Sequence, residues 1–559
     1  MSVPSVARSA SPFGLGAGLV FWFASLTPTL VPRGWIVQGV MSGACLAIGY
    51  GIGVAAERTW RRASRRLSGG PRFRPRPGAA VAVGLLVGVV GVLAWASWQD
   101  AARDLVGMSH LDWWEGPPML VLSVVVGMAL IRFGAAVPPW LRMAHGGIRR
   151  RLPAWLPLSA SILLTVAFVG LVGSQVVVRS FVVTANVIYE ALDQGTNPGI
   201  DRPTLPTVSG NPRSLVRWET MGLWGRDFAA GVTSRDQLLA YHGADADVRD
   251  PVRVFVGVRT AETIEERVAI AVRELERAGG FERSVIAVWV PGGSGWVDPD
   301  AARALEQLYA GDTAIVTTQY SYLPSFLSLV VDSSRSTEAG ALLFDAVRER
   351  WSALPEQDRP RLVVFGASLG AGGAERPFIG SDAAASVANF ASSADGALIV
   401  GSLGWNPILH QLIEARQPGT PTWQPIYSGG ETVRFVTGRG GDDTGAPWGP
   451  SRVLYLQHPS DPVAYASLDS LWSPLDWMDE PRGNGVPPDT GWFPVVSAVQ
   501  AVADMSFASS LPSGFGHDYR VDYVDAFARI VPPADWTDDD TARLAAYLDA
   551  DAATAAGAP

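Results

Sequence analysis

The 559-residue chain contains no lysine, and all 44 of its basic side chains are arginine. That pattern points to GC-rich coding, and it excludes a phosphate-cradling P-loop, whose lysine has no stand-in here. Cysteine is nearly absent: Cys45 alone rules out an internal disulfide and any cysteine-cluster zinc or iron–sulfur site. The six histidines fall into no H-E-x-x-H pattern and no cluster with acids at ligand spacing, so neither a metal nor another cofactor is expected. Charged residues make up only 17% of the chain and the mean hydropathy is +0.17, which excludes disorder and a wholly soluble enzyme. With a net charge of −9, general nucleic-acid binding is excluded as well. No solenoid-period repeat occurs, and oligomeric state carries no sequence signal.

What is present divides in two. Residues 1–179 hold 17 arginines against 5 acids, and residues 180–559 hold 27 against 48. The first part has five apolar runs of a length suited to about 30 Å of hydrocarbon, at 13–31, 35–56, 79–98, 118–137 and 154–178. Arg132 near the end of the fourth reads as a snorkelling side chain. The first run lacks a strongly basic leader and is followed at once by the second, so a cleaved signal peptide fits poorly. Arginines crowd the loops after the second run (Arg58 to Arg76) and the fourth (Arg142 to Arg151), while the loop after the third is acidic. With five crossings, the positive-inside rule places the N-terminus in the cytoplasm and the large C-terminal region outside it; with one run fewer, that region faces the cytoplasm instead. The expected partner of residues 1–179 is the lipid bilayer. No ionisable chain of the kind proton pumps carry runs through these segments, so they read as an anchor or lid.

Residues 180–250, with a Gly/Pro-rich stretch at 195–213, form a linker into a third region, 251–559. There, short β-branched runs (252–258, 284–290, 314–318, 361–365, 396–400, 452–457) alternate with helical spacing at 262–278 and 338–351. Apolar strands alternating with helices imply a mostly parallel sheet covered on both faces. The fold class expected is thus an N-terminal all-α transmembrane bundle of about five spans followed by an α/β-hydrolase domain.

The strand at 361–365 runs into Gly366-Ala367-Ser368-Leu369-Gly370 and a small-residue helix start. This is a G-x-S-x-G nucleophile elbow in the strand–turn–helix setting it needs, with glycines where the turn leaves no room for side chains. The strand at 452–457 leads to His458-Pro459-Ser460-Asp461, placing an acid after a late strand. Gly514-Phe515-Gly516-His517 puts a histidine in a glycine-bounded loop near the C-terminus. The order Ser368, Asp461, His517 is that of nucleophile, orienting acid and general base. Asp469 and Asp476 are rivals to Asp461. His410 comes too early in chain order, His458 reads as shaping the loop of Asp461, and Asp518 and Asp522 read as solvated or helix-capping. The backbone N–H of Leu369 is the expected first oxyanion donor. Gly292 and Gly293, in the glycine-rich turn after 284–290, are the expected second.

Several further segments are distinctive: Arg217-Trp218-Glu219-Thr220-Met221-Gly222, Gly292-Gly293-Ser294-Gly295-Trp296-Val297-Asp298-Pro299, Gly311-Asp312-Thr313 and Gln319-Tyr320-Ser321-Tyr322-Leu323-Pro324-Ser325. Together with Gly366 to Gly370, they make the whole chain resemble the α/β-hydrolase-fold membrane proteins of actinobacteria. Those combine an N-terminal multi-span region with a C-terminal hydrolase domain and were once filed as a domain of unknown function. The resemblance implies a serine-hydrolase class and no particular substrate. The family pattern has Glu where Ala367 stands, beside the nucleophile and outside the triad.

The activity expected is therefore that of a membrane-anchored serine esterase or lipase acting on acyl-ester, lipidic or cell-envelope substrates. Acyl transfer from the same triad and a degenerate binding module are the alternatives. Trp472, Trp477 and Trp492 are positioned in sequence to form a lid or acceptor groove, or to pack in a core.

Overall fold

The computed structural model describes residues 11–64, 77–149, 179–332, 334–441 and 446–557. The chain divides into two compact units, one of Met1–Phe181 with Ser467–Phe507, the other of Val182–Ala466 with Ala508–Pro559.

The first unit is helical. Its helices are α1 (Pro12–Ala24), α2 (Trp35–Ser64), α3 (Pro77–Leu105) and α4 (Gly116–Arg149). Three stretches are long and apolar enough to cross a membrane: Trp35–Arg61, Ala82–Leu105 and Gly116–Ala135. Leu85, Leu86, Leu93, Val121 and Val125 on α3 and α4 stay exposed, a distribution suited to lipid contact.

The expectation of about five spans is corrected to three among the described residues. The run 13–31 breaks after 13 residues, where the Ser25 hydroxyl donates to the Trp22 carbonyl and Pro28 and Pro32 bar further helix. Thirteen residues rise about 20 Å, short of the hydrocarbon thickness. The run 154–178 lies outside the described residues.

The segment Ser467–Phe507, drawn from inside the 251–559 region, packs with these helices. Its helix Val496–Ser506 contacts α2, and Val496 is buried with Ala24 and Cys45. Asp504 accepts a hydrogen bond from the Thr29 hydroxyl at 2.9 Å and faces Arg33 Nη1 at 3.5 Å, with both charged side chains buried. The Gln500 amide reaches the carbonyls of Ser25 and Thr27. Trp492 donates its indole N–H to the Ser470 carbonyl, within the segment itself.

The second unit is built on a seven-stranded sheet: β1 (Val252–Val256), β2 (Val285–Val290), β3 (Thr313–Thr318), β4 (Arg361–Ala367), β5 (Gly396–Val400), β6 (Val433–Val436) and β7 (Arg452–Leu456). The order is β1-β3-β2-β4-β5-β7-β6, and every pairing is parallel. Helices cover both faces, so nearly every strand residue is buried and the strands read as unbroken apolar runs. Helix starts are capped as the sequence allows; Thr263 and Glu266 form a capping box for Ile264–Arg277.

Two arginines sit buried within strands. Arg253 of β1 makes a bidentate pair with Glu306 at 2.6 and 2.9 Å, both side chains fully buried. Arg434 in β6 is buried against the Trp448 ring and donates to the Gly430 carbonyl. That charge, in a strand of only four residues, is why β6 carries no clear apolar signature in the sequence.

Candidate active site

In an open parallel sheet, ligands bind beyond the carboxyl ends of the strands. Three loops converge there. β4 ends at Ala367, and Ser368 adopts φ 56° and ψ −123°, a conformation that L side chains rarely take, before the helix Leu369–Glu375 begins. The flanking glycines are steric necessities. A Cβ on Gly366 would lie 2.4 Å from the Gly370 carbonyl, and one on Gly370 would lie 2.3 Å from the Val290 carbonyl. The Ser368 amide donates to the Val400 carbonyl at 2.9 Å, fixing the elbow to the end of β5.

His517 reaches the same point from the third loop. Gly401, next after Val400, has φ +51°, and a Cβ there would meet His517 Cε1 at 2.5 Å. The imidazole thus packs on bare backbone one residue from the carbonyl that holds Ser368. Its Nδ1 lies 2.7 Å from Asp461 Oδ2 in the loop after β7. The other oxygen of Asp461 accepts the Val463 N–H at 2.9 Å, and the carboxylate is fully buried. Burial on its own pulls the His517 pKa down. The charge of Asp461 and the hydrogen bond to it, with a contribution from Asp518, outweigh that, and the net pKa stands above the ordinary histidine value. His410, exposed beside Glu414, takes no part in this cluster.

The structure adds Tyr519, which the sequence did not single out, and gives His458, Asp518 and Asp522 partners it did not foresee. Tyr519 donates its hydroxyl to Asp461 Oδ2 at 2.7 Å, the same oxygen that faces His517, and accepts the His458 N–H. Burial, then the adjacent Asp461 charge, pushes the Tyr519 pKa well above its usual value, which keeps the hydroxyl a donor. Asp522, expected to be solvated or capping, stands at the N-cap of the helix Tyr523–Ile530, but its buried carboxylate pairs with His458 instead of capping. Asp518, also expected in solvent, is buried against Arg520. No local pattern flags these side chains, since only the fold brings them under the histidine loop.

Leu369 lies in the first helical turn after the serine, where backbone N–H groups have no intrahelical acceptor. Gly292 and Gly293 follow β2, whose end abuts Gly370. Their amides are engaged, Gly292 with the Trp296 carbonyl at 2.9 Å and Gly293 with the Ser325 hydroxyl at 3.0 Å. Beside the elbow the packing is apolar: Leu369 is buried in a small cluster with Leu403, Val463 and Ala508. Among the described residues no group of three or more His, Cys, Asp or Glu side chains is placed to hold a metal ion.

Residues 252–544 match the alpha/beta-hydrolase family, and residues 26–232 match the N-terminal region of that same family. The chain belongs to the alpha/beta-hydrolase family. No curated protein and no solved structure is matched. Within this hydrolase-family chain the boundary between the two matched regions falls before β1, so the sheet and all three converging loops lie in the hydrolase part.

Proposed function

We propose that this protein is a membrane-anchored serine hydrolase that cleaves acyl esters through an acyl-enzyme on Ser368, with lipidic or cell-envelope esters as its substrates. The observation that carries the proposal is the 2.7 Å Asp461–His517 pair lodged against the turn that follows β5, the strand whose last carbonyl accepts the N–H of the strained Ser368.

In this reading His517 Nε2 takes the Ser368 hydroxyl proton as Oγ attacks the ester carbonyl. Asp461 holds Nδ1 as the donor and stabilises the imidazolium. The tetrahedral intermediate collapses as His517 passes the proton to the leaving alcohol, and water, activated by the same base, then releases the acid and regenerates Ser368. The oxyanion takes a hydrogen bond from the Leu369 amide. For the second donor, Gly293 is better suited than Gly292. Its N–H is held by a side-chain hydroxyl that can turn away, whereas that of Gly292 closes a backbone turn.

Two observations support a lipidic substrate. The side chains around the elbow are apolar, and the segment Ser467–Phe507, between the acid and the base in the chain, is part of the helical unit with the candidate spans. Reading the arginine loops by the positive-inside rule puts 58–76 and 142–151 on the cytoplasmic side. A crossing by 154–178, read from the hydropathy of the sequence alone, then puts the hydrolase domain on the outer side. With α1 too short to cross, that outcome no longer depends on the first run, and the N-terminus moves to the outer side. The test is hydrolysis of short acyl esters by purified full-length protein and its Ser368→Ala variant. The variant is expected to lose all measurable turnover, and unchanged turnover would overturn the proposal.

A further inference from the structure

His458 precedes Asp461 by three residues and is buried to 1% exposure, outside the Ser368–His517–Asp461 line. Its ring makes two hydrogen bonds. Nδ1 lies 2.9 Å from the Gly516 carbonyl, and Nε2 lies 3.0 Å from Asp522 Oδ2. A carbonyl and a carboxylate both only accept, whereas a neutral imidazole has a single N–H to give. With Asp522 ionised, a neutral ring would therefore leave one contact with two lone pairs facing each other. Both contacts are made when both ring nitrogens carry hydrogen, and the imidazolium then balances the buried Asp522 charge.

The surroundings hold the ring in this orientation. Asp522 is fixed from its other side, where Oδ1 accepts the Arg439 backbone N–H at 2.7 Å. The Tyr519 ring stacks on the imidazole at 4.1 Å, and that tyrosine's hydroxyl links the His458 backbone N–H to Asp461. The residue grasped is telling, because Gly516 immediately precedes His517. Its carbonyl is held by His458, and its N–H donates to the Ser460 hydroxyl at 2.9 Å.

We infer that His458 and Asp522 form a second, buried histidine–carboxylate pair whose work is to hold the His517 loop in register with Asp461. His458 is a positioning residue, acting on the base through the Gly516 carbonyl without touching substrate. The inference rests on the serine-hydrolase reading above.

The test compares wild type, His458→Gln, Asp522→Asn and the double variant as full-length protein in detergent. Active-site titration with a fluorophosphonate counts competent sites, and kcat and KM on a short acyl ester are then expressed per titrated site. A base displaced by even about 1 Å loses up to about 100-fold in rate. Each single variant is thus expected to lower kcat per site at least tenfold with KM within about twofold. The double variant should fall no further, because the two residues act as one unit. If His458→Gln does not fold, Asp522→Asn, which exchanges one oxygen for nitrogen, carries the kinetic test.

A merely structural pair would reduce the number of sites titrated and leave kcat per site unchanged, and that result overturns the inference. Protein labelled with [15N]histidine gives an independent readout. His458 should show two ring N–H signals that vanish in His458→Gln, and a single N–H signal contradicts the assignment. Failure of wild type to titrate at all would instead overturn the serine-hydrolase reading and this inference with it.

Discussion

Tyr519 and His517 meet at one oxygen: Asp461 Oδ2 is 2.7 Å from the tyrosine hydroxyl and 2.7 Å from His517 Nδ1. The tyrosine draws off part of the negative charge that the histidine would otherwise feel. Tyr519→Phe should therefore raise the His517 pKa further and move the acid limb of the kcat/KM profile to higher pH. It also strips the His458 backbone N–H of its acceptor, at a cost of about 1 kcal/mol in stability. A pH–rate profile and a urea titration check both effects.

The His517 shift has its own consequence. Attack requires neutral imidazole, so activity is expected to be lost as pH falls through a pKa above the ordinary value near 6.5. Asp461→Asn removes the charge and the preferred Nδ1–H acceptor. The acid limb should move to lower pH, while kcat falls about 10³–10⁴-fold.

Glu375, at the end of the helix that Ser368 begins, is fully buried and accepts from the Ser402 and Tyr455 hydroxyls at 2.9 and 3.2 Å. Burial pushes its pKa up to about 7, against the opposing effect of those hydrogen bonds. An acid whose folded pKa lies above its unfolded value, 4.5, favours folding most below pH 4.5, and that advantage drains away as pH rises through about 7. Glu375→Gln keeps an acceptor oxygen without the charge. Relative to wild type its stability should gain about 2–3 kcal/mol between pH 5 and pH 8, read by denaturant unfolding at the two pH values.

In the helical unit, Arg33 and Asp504 are each buried and face each other at 3.5 Å. Removing one partner of such a pair strands the other charge, at a cost of about 3–5 kcal/mol, whereas replacing both by apolar residues of similar size is close to neutral. Asp504→Ala should open the segment Ser467–Phe507 to limited proteolysis. The double variant Arg33→Met/Asp504→Leu should restore resistance.

Much of the hydrolase part was legible in the sequence because its signals are local. Six of the seven strands announce themselves as apolar runs, and the G-x-S-x-G turn is dictated by contacts among its own residues and the neighbouring strand. Asp461 and His517 were legible from chain order alone, and their 2.7 Å contact follows from where β7 and the C-terminal loop end. What was illegible depends on packing. Nothing near Asp522 says that its carboxylate meets His458, 64 positions away. Nothing in Ser467–Phe507 says that it folds with helices more than 400 residues earlier in the chain. The helical part misled where hydropathy was taken as length, since the apolar run 13–31 conceals the break at Ser25 and the prolines after it.

Covalent labelling tests Ser368 as the nucleophile. Purified full-length protein and Ser368→Ala are treated with a fluorophosphonate and the adduct is located by mass spectrometry. A single adduct on Ser368 is expected in wild type and none in the variant. Folded wild type that takes up no label, or a variant labelled equally well, would contradict that role.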